Sequence, residues 1–371
     1  MGSKPTIKDI AQLAGVSKTT VSRVLNQKPD VDPATRERIL QIIAEQRFVP
    51  SVTAAGLAGG RSRVIGVLVP SLVWPFMPEI VQGVAEVVEQ SAYEMVLYSL
   101  SPQTDRGAAL ERILDIRLIA GLVAVLPGQL AGRLEDLHLN GFPVVTLDDQ
   151  GQPTSAPWVG ADNRAGAYRA VRYLLDLGYR HIAHIKGPVD YQCSQDRYQG
   201  YCQALSEAGL ALDPALVFQG DFEEQRGRAG AQALFALTER PDAIFAANDH
   251  TAWGVLEEAL AVGLRVPGDV ALVGFDDMPP SAHKRPPLTT VMQPFQAMGQ
   301  RAAGLLLRLL EAPRHPAAST SLPTFLKSPL LASAPGGTEA GGTKDKPIRI
   351  VLETKLVIRA SCGEQRVASV M

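Results

Sequence analysis

Thr6-Ile-Lys-Asp-Ile-Ala-Gln-Leu-Ala-Gly-Val-Ser-Lys-Thr-Thr-Val-Ser-Arg-Val-Leu-Asn26 is the stretch from which the rest of this 371-residue chain is read. Thr6 followed three residues on by Asp9 has the form of a capping box, and Ile7, Ile10, Ala11 and Leu13 follow at helical spacing. Gly15, between Ala14 and Val16, supplies the backbone freedom that a tight turn needs. Ser17 then caps a second helix from Lys18 to Leu25, which ends at Asn26. Asp32-Pro33 opens a third, a capping residue followed by proline at the first helical position, with Ile39, Leu40, Ile43 and Ala44 as its apolar face. Pro50 ends the unit.

Two short helices joined by a glycine-containing turn describe a helix-turn-helix, whose second helix enters the DNA major groove. On that helix Lys18, Thr19 and Arg23 are expected to face outward, with Val21, Val24 and Leu25 packed inward. Arginine can pair in a bidentate manner with guanine, so Arg23 is the candidate base reader. Ser17, Thr20, Ser22 and Asn26 are short donors suited to phosphate oxygens, which fix register without specifying sequence. With Thr6 at the helix start, these residues form the candidate DNA-contacting set. The charge agrees: residues 1–62 carry nine Lys/Arg against five Asp/Glu, a surplus of +4, while the whole chain is −2 and its remainder therefore −6. The competing reading is a small three-helix domain whose basic residues are merely solvated.

From Val64 the pattern changes. Val64–Val69, Met95–Tyr98, Gly121–Leu126, Val144–Leu147, Ile182–Ile185, Ala243–Ala247 and Val270–Phe275 are short apolar runs that alternate with amphipathic helical stretches. Strands apolar on both faces and separated by helices predict parallel α/β sheets, and their number favours two doubly wound sheets over one. Pro313–Pro347 differs again, with six prolines and four glycines. Its part Ser333–Asp345 reads as a flexible linker, and Ile348–Ile358 as a final strand.

Ligands of open α/β sheets bind beyond the carboxyl ends of the strands. Ser71 and Phe76 follow the first apolar run, Asp148 follows Val144–Leu147, Asn248 follows Ala243–Ala247, and Asp276 follows Leu272–Phe275. Arg197 lies early in the helix after Ile185-Lys-Gly-Pro188. Carboxylate, amide and guanidinium groups together suit the hydroxyls of a sugar ring, and Phe76 or Phe222 could cover its apolar face. Each residue taken singly also reads as an ordinary helix cap or loop residue.

The quoted stretch Thr6–Asn26, with Phe48-Val-Pro50 after it, resembles the amino-terminal signature of the lactose-repressor/galactose-repressor family of transcriptional regulators. Gly187-Pro188, Arg197-Tyr-Gln-Gly200, Ala247-Asn-Asp249, Val273-Gly-Phe-Asp-Asp277 and Pro287-Leu-Thr-Thr290 are similar to that family's sensor landmarks, in the same order. The resemblance runs from Thr6 to about Arg314 and again over Leu352–Cys362. It implies an α/β protein in which an all-α helix-turn-helix headpiece (1–50) and a hinge (51–62) precede a two-lobed, periplasmic-binding-protein-like sensor (63–371) with an insertion at 315–347. It also implies a homodimer on a near-palindromic operator, with Leu57 as a minor-groove wedge, and Asp148, Arg197, Asn248 and Asp276 as effector contacts beside Phe222. The hinge departs from the family in carrying Ser51, Val52 and Gly56, and glycine costs a helix about 1 kcal/mol. A sugar is the expected effector, a purine or nucleoside or a phosphoprotein corepressor the alternatives.

An enzyme is disfavoured. No G-x-S-x-G elbow, phosphate loop with lysine or H-E-x-x-H occurs, and His181 and His184 would point to opposite faces of a strand. No cofactor or metal is expected. Cys193, Cys202 and Cys362 lack metal-ligand spacing and fit a reducing compartment. No export signal and no run of about 18 apolar residues is present, so a cytoplasmic protein is expected and an exported sugar-binding protein disfavoured.

Overall fold

The computed structural model describes residues 5–25, 28–48, 62–100, 104–148, 155–312 and 347–363, together with the backbone of 337–339. The headpiece comprises α1 (Ile7–Ala14), α2 (Lys18–Leu25) and α3 (Pro33–Glu45). Its signals act as their chemistry requires. The Thr6 N–H donates to Asp9 Oδ2 at 2.8 Å, the Thr20 N–H to Ser17 Oγ at 3.0 Å, and the Thr35 N–H to Asp32 Oδ2 at 3.0 Å. Gly15 adopts φ 64°, the left-handed conformation that ends α1. Ile10, Ala11, Ala14, Val21, Val24, Val31 and Ile39 form the core. Two expected core residues, Leu13 and Leu40, are instead exposed. Ala14 takes the inward place in α1, and Ile42 and Ile43 complete the stripe begun by Ile39. Leu40 is turned away from it by one residue step of the helix.

The sensor has two lobes. In lobe 1, β1 (Val64–Val69), β2 (Glu94–Ser99), β3 (Gly121–Val125), β4 (Val144–Leu147) and β5 (Trp158–Ala161) are joined through α4 (Met77–Glu89), α5 (Arg106–Asp115) and α6 (Ala131–Leu139). Lobe 2 contains α7 (Asn163–Asp176), β6 (Ile182–Lys186), α8 (Gln192–Glu207), β7 (Val217–Gln219), α9 (Glu224–Phe235), β8 (Ala243–Ala246), α10 (Asp249–Ala261) and β9 (Ala271–Val273). Then come β10 (Thr290–Met292), α11 (Phe295–Glu311), β11 (Gly337–Glu339), β12 (Arg349–Leu352) and β13 (Lys355–Val357). One sheet runs β11-β12-β5-β4-β3-β1-β2 and the other β7-β6-β8-β9, with β10 and β13 paired beside the second. All pairings within these two sheets are parallel except β11 with β12. The all-buried β1, β3, β4 and β8 are the continuous apolar runs that two covered faces demand.

Two expectations are corrected. Ile348–Ile358 is not one strand: β12 pairs with β5 and β13 with β10, so the chain changes lobe at Glu353-Thr354. It does so also at Asp162, between β5 and α7, and at Gln293-Pro294, between β10 and α11. Composition also read 333–345 as a linker throughout, yet Gly337–Glu339 pairs antiparallel with β12. An open strand edge offers backbone hydrogen bonds irrespective of side chain, a signal that composition does not carry.

Helices α4 and α11 approach until backbones meet. A Cβ at Gly83 would lie 2.0 Å from the Gln296 carbonyl oxygen, and one at Gly299 2.1 Å from that of Ile80. This contact seats the amino end of α11, and with it Gln293 and Phe295, against lobe 1.

Candidate effector cleft and DNA-facing helix

Arg197 is the centre of the polar network in lobe 2. It is only 4% exposed, on α8. Its Nε donates to Asn163 Oδ1 at 2.9 Å, Nη1 to the Ala247 carbonyl at 2.6 Å and Nη2 to Asp276 Oδ1 at 3.3 Å. A guanidinium carries five N–H groups, so these three bonds leave two for another acceptor. The ring of Phe275 lies 3.8 Å from its Cζ and that of Phe222 5.6 Å, which holds the guanidinium plane from both chemistry and packing. Asn248 caps α10 through Oδ1 and gives one amide hydrogen to the Phe222 carbonyl at 3.1 Å. The four expected residues of lobe 2, Arg197, Phe222, Asn248 and Asp276, therefore come together.

In lobe 1, Ser71, Phe76 and Asp148 stand past the carboxyl ends of β1 and β4, as the crevice rule requires. Phe76 stacks on Phe295 with centroids 4.8 Å apart, and Trp74 adjoins it at 5.8 Å. Ser71 Oγ accepts the Val73 N–H at 3.3 Å and so also shapes its own turn. Asp148 is buried. The backbone is strained at these positions: Leu126, Asp148, Phe222, Asp276 and Asp277 all have positive φ. Non-glycine residues there cost free energy and persist where the surroundings dictate them, which is common at ligand sites.

Several residues escaped sequence reading. Gln293, on the crossover before α11, donates Nε2 to Asp276 Oδ1 at 2.7 Å, and its Oε1 is buried with no partner among the described residues. Ser194 Oγ, one turn before Arg197 on α8, is likewise buried without a partner. Asn163 and Phe275 hold the guanidinium, and Phe295 carries the stack with Phe76. The crevice rule would have found Gln293 had β10 been recognised, but Thr290–Met292 is too short to read as a strand.

Beneath the network lies Asp249, fully buried at the start of α10. It accepts from the Met278 N–H and Ser281 Oγ at 2.7 Å and from Thr290 Oγ1 at 2.5 Å. Burial, reinforced by the charge of Asp276, pushes its carboxyl up to about 7. Burial also raises Asp276, against the opposing pull of Arg197 and Gln293. His184 is buried with Nδ1 2.8 Å from the Phe245 carbonyl, and burial lowers it to about 3, so it is a neutral core residue. No cluster of three or more His, Cys, Asp or Glu able to hold a metal occurs among the described residues.

On α2, Lys18, Thr19 and Arg23 are exposed and Val21 and Val24 buried, as expected. Arg23 is ion-paired with Asp30, through Nε at 3.1 Å and Nη2. Ser17 Oγ lies 2.9 Å from Thr20 Oγ1, and Thr6 Oγ1 donates to Asp9 Oδ2 at 2.7 Å. Asn26 and Leu57 lie outside the described residues.

Comparison with known proteins agrees with this arrangement. Residues 6–51 match the model of bacterial regulatory proteins, lacI family, and residues 171–327 that of a periplasmic binding protein-like domain. The repressor PurR of Aliivibrio salmonicida is 31% identical over 313 residues, covering 84% of this chain and 93% of the relative. This chain belongs to the lacI family. The ribose operon repressor of Haemophilus influenzae is 32% identical with the same coverage of both chains. Among solved structures, a lac repressor dimer bound to operator and the anti-inducer ONPF superposes with a TM-score of 0.78 at 27% identity, over 97% of this chain and 99% of the other. A complex of the transcriptional regulator CelR with cellobiose gives 0.67 at 31% identity, over 96% and 99%. The lacI-family chain is thus an effector-controlled, DNA-binding transcriptional repressor, and the relatives it matches are repressors rather than enzymes. No helix among its described residues is long and apolar enough to cross a membrane.

Proposed function

We propose that the crevice between the lobes binds a sugar and that its occupation sets the affinity of the headpiece for a near-palindromic operator in the cytoplasm. In this reading residues 1–50 read DNA, 51–62 form the hinge and 63–371 hold the effector and the dimer contact. Thr6, Ser17, Lys18, Thr19, Thr20, Ser22, Arg23, Asn26 and Leu57 face the operator. Ser71, Phe76, Asp148, Arg197, Phe222, Asn248 and Asp276 face the effector, and Gln293, hydrogen-bonded to Asp276, joins them in this reading.

The observation that carries the reading is the buried Arg197, whose network spends three of its N–H groups and is bordered by two orphaned polar atoms, Ser194 Oγ and Gln293 Oε1. An orphaned buried acceptor or donor costs about 1–3 kcal/mol, a cost that a hydroxylated ligand removes. Asp276 Oδ1 already accepts from both Arg197 and Gln293, which leaves its second oxygen for a hydroxyl. Only a ligand that prefers one lobe arrangement can shift operator affinity, and three crossovers that meet both lobes provide the hinge for such a preference.

The test is a thermal-shift screen of the purified chain against mono- and disaccharides, polyols, sugar phosphates, purines and nucleosides. A specific ligand at a hundred times its Kd adds about 2.7 kcal/mol. A sugar that stabilises the chain, and fails to stabilise Arg197→Ala, supports the reading. A response confined to purines overturns the sugar assignment.

A further inference from the structure

The chain takes residues 312–348 to pass from α11 to β12. A helix-to-strand connection commonly needs about 2–6 residues. The two ends to be joined lie at the same end of the lobe 1 sheet. Near the close of α11, Leu306 Cδ1 would stand 2.9 Å from a Cβ at Gly121, where β3 starts. Arg349 is level with Trp158, where β5 starts. Three strand steps separate β3 from β12, about 14 Å across the sheet, which about six extended residues cover with length to spare. The connection is therefore far longer than closing the fold requires, and what its surplus supplies is β11.

β11 stands last in the strand order and pairs with β12 alone among the described residues. Gly337, Thr338 and Glu339 run antiparallel to β12, level with Leu352, Val351 and Ile350. On their other side the same three residues are level with Ala161, Gly160 and Val159 of β5. Without β11, β12 would be the edge of the sheet, with its outward N–H and C=O groups open to another strand. Its sequence suits such pairing: Ile348-Arg-Ile-Val-Leu352 is apolar but for Arg349 and has neither proline nor glycine. Ile350 and Leu352 are buried, so the core holds the strand extended whatever stands beside it.

We propose that β11 is a guard strand, occupying in cis the edge of β12 that otherwise pairs with β12 of a second copy of this chain. The antiparallel sense of the pairing points to a second copy as the occupant. Two copies related by a two-fold axis set one β12 antiparallel to the other, which reproduces the partner that β11 provides. Exposed backbone edges of this kind are the usual route to strand-mediated self-association, and covering them is the usual protection.

The experiment is sedimentation equilibrium of the full chain over a wide concentration range, comparing the parent with Thr338→Pro/Glu339→Pro. Successive strand residues turn their N–H groups to opposite sides, so this pair removes a ladder donor whichever residue faces β12. The variant is expected to shift to about twice the parent's mass as its concentration rises. Deletion of 333–345 removes β11 outright and carries the same expectation. Adding Val351→Lys to either variant brings two lysines together near the centre of a β12 self-pair, and should return the parent's mass. In dilute solution, hydrogen exchange over 350–352 should quicken about tenfold in both variants, as loss of a ladder bond requires. The proposal is overturned if both variants keep the parent's mass, if the heavier species survives Val351→Lys, or if exchange over 350–352 equals the parent's.

Discussion

Arg197 Nη2 stands 3.3 Å from Asp276 Oδ1, and both side chains are buried, so each is the other's countercharge inside lobe 2. Removing one partner of such a pair strands the other charge in a poorly solvating interior. Arg197→Met is therefore expected to cost about 3–5 kcal/mol, read from the urea midpoint of unfolding. Adding Asp276→Asn to that variant should restore part of the loss. A full loss in the double variant would show that the pair is not coupled.

Asp249 gives the sensor a pH dependence. Its folded carboxyl titrates at about 7, above its ordinary value of 3.8, so between these values the folded chain holds a proton that the unfolded chain has released. Stability from this group is greatest below about pH 4, falls as pH rises through 7, and is flat above it. Burial acts on Asp276 in the same direction. Chemical denaturation from pH 5 to 8 should show the decline, amounting to a few kcal/mol, and Asp249→Asn should flatten it. A profile that rises over this range contradicts the assignment.

The proposed base reader, Arg23, is held by an ion pair. Arg23 is paired with Asp30 in the free chain and must leave it to reach a guanine. Asp30→Ala is expected to tighten operator binding. Arg23→Ala should weaken it by about 1–3 kcal/mol and relax specificity at one base pair. Lys18→Ala should instead lower the salt slope by about one, with little change in sequence preference. Electrophoretic or anisotropy titrations against operator and scrambled duplexes separate these outcomes.

The contact of α4 with α11 sets a steric limit. Gly83→Ala or Gly299→Ala drives a methyl group into a backbone carbonyl 2.0 or 2.1 Å away. Each should destabilise lobe 1 by about 1–3 kcal/mol, the usual cost of overpacking, and displace the Phe76–Phe295 stack. Unfolding midpoints equal to the parent's would mean that the helices separate freely.

Much of this architecture is legible in the chain because local chemistry writes it. Thr6, Ser17 and Asp32 cap helices with their own side chains, and Gly15 marks a turn that needs positive φ. The runs at Val64 and Val144 announce strands buried on both faces. What escapes is nonlocal. Nothing near Ile348–Ile358 says that its halves belong to different sheets, nor does Gly337–Glu339 reveal that β12 has an edge to fill. The cleft follows the same division. Arg197, Asn248 and Asp276 stand out in the sequence by their place after strands or early in a helix, and the fold brings them into one network. Gln293 and Asn163 were missed because their roles arise only when crossovers bring them to Asp276 and Arg197.

The most direct test of effector control is operator binding by fluorescence anisotropy, with and without a sugar that stabilises the chain. The expected result is a change in operator Kd of about 5–150-fold in the parent chain, the usual range of allosteric coupling, and none in Arg197→Ala. An operator Kd that stays constant while the sugar saturates the cleft would contradict the account, because binding would then carry no preference between the states of the lobes.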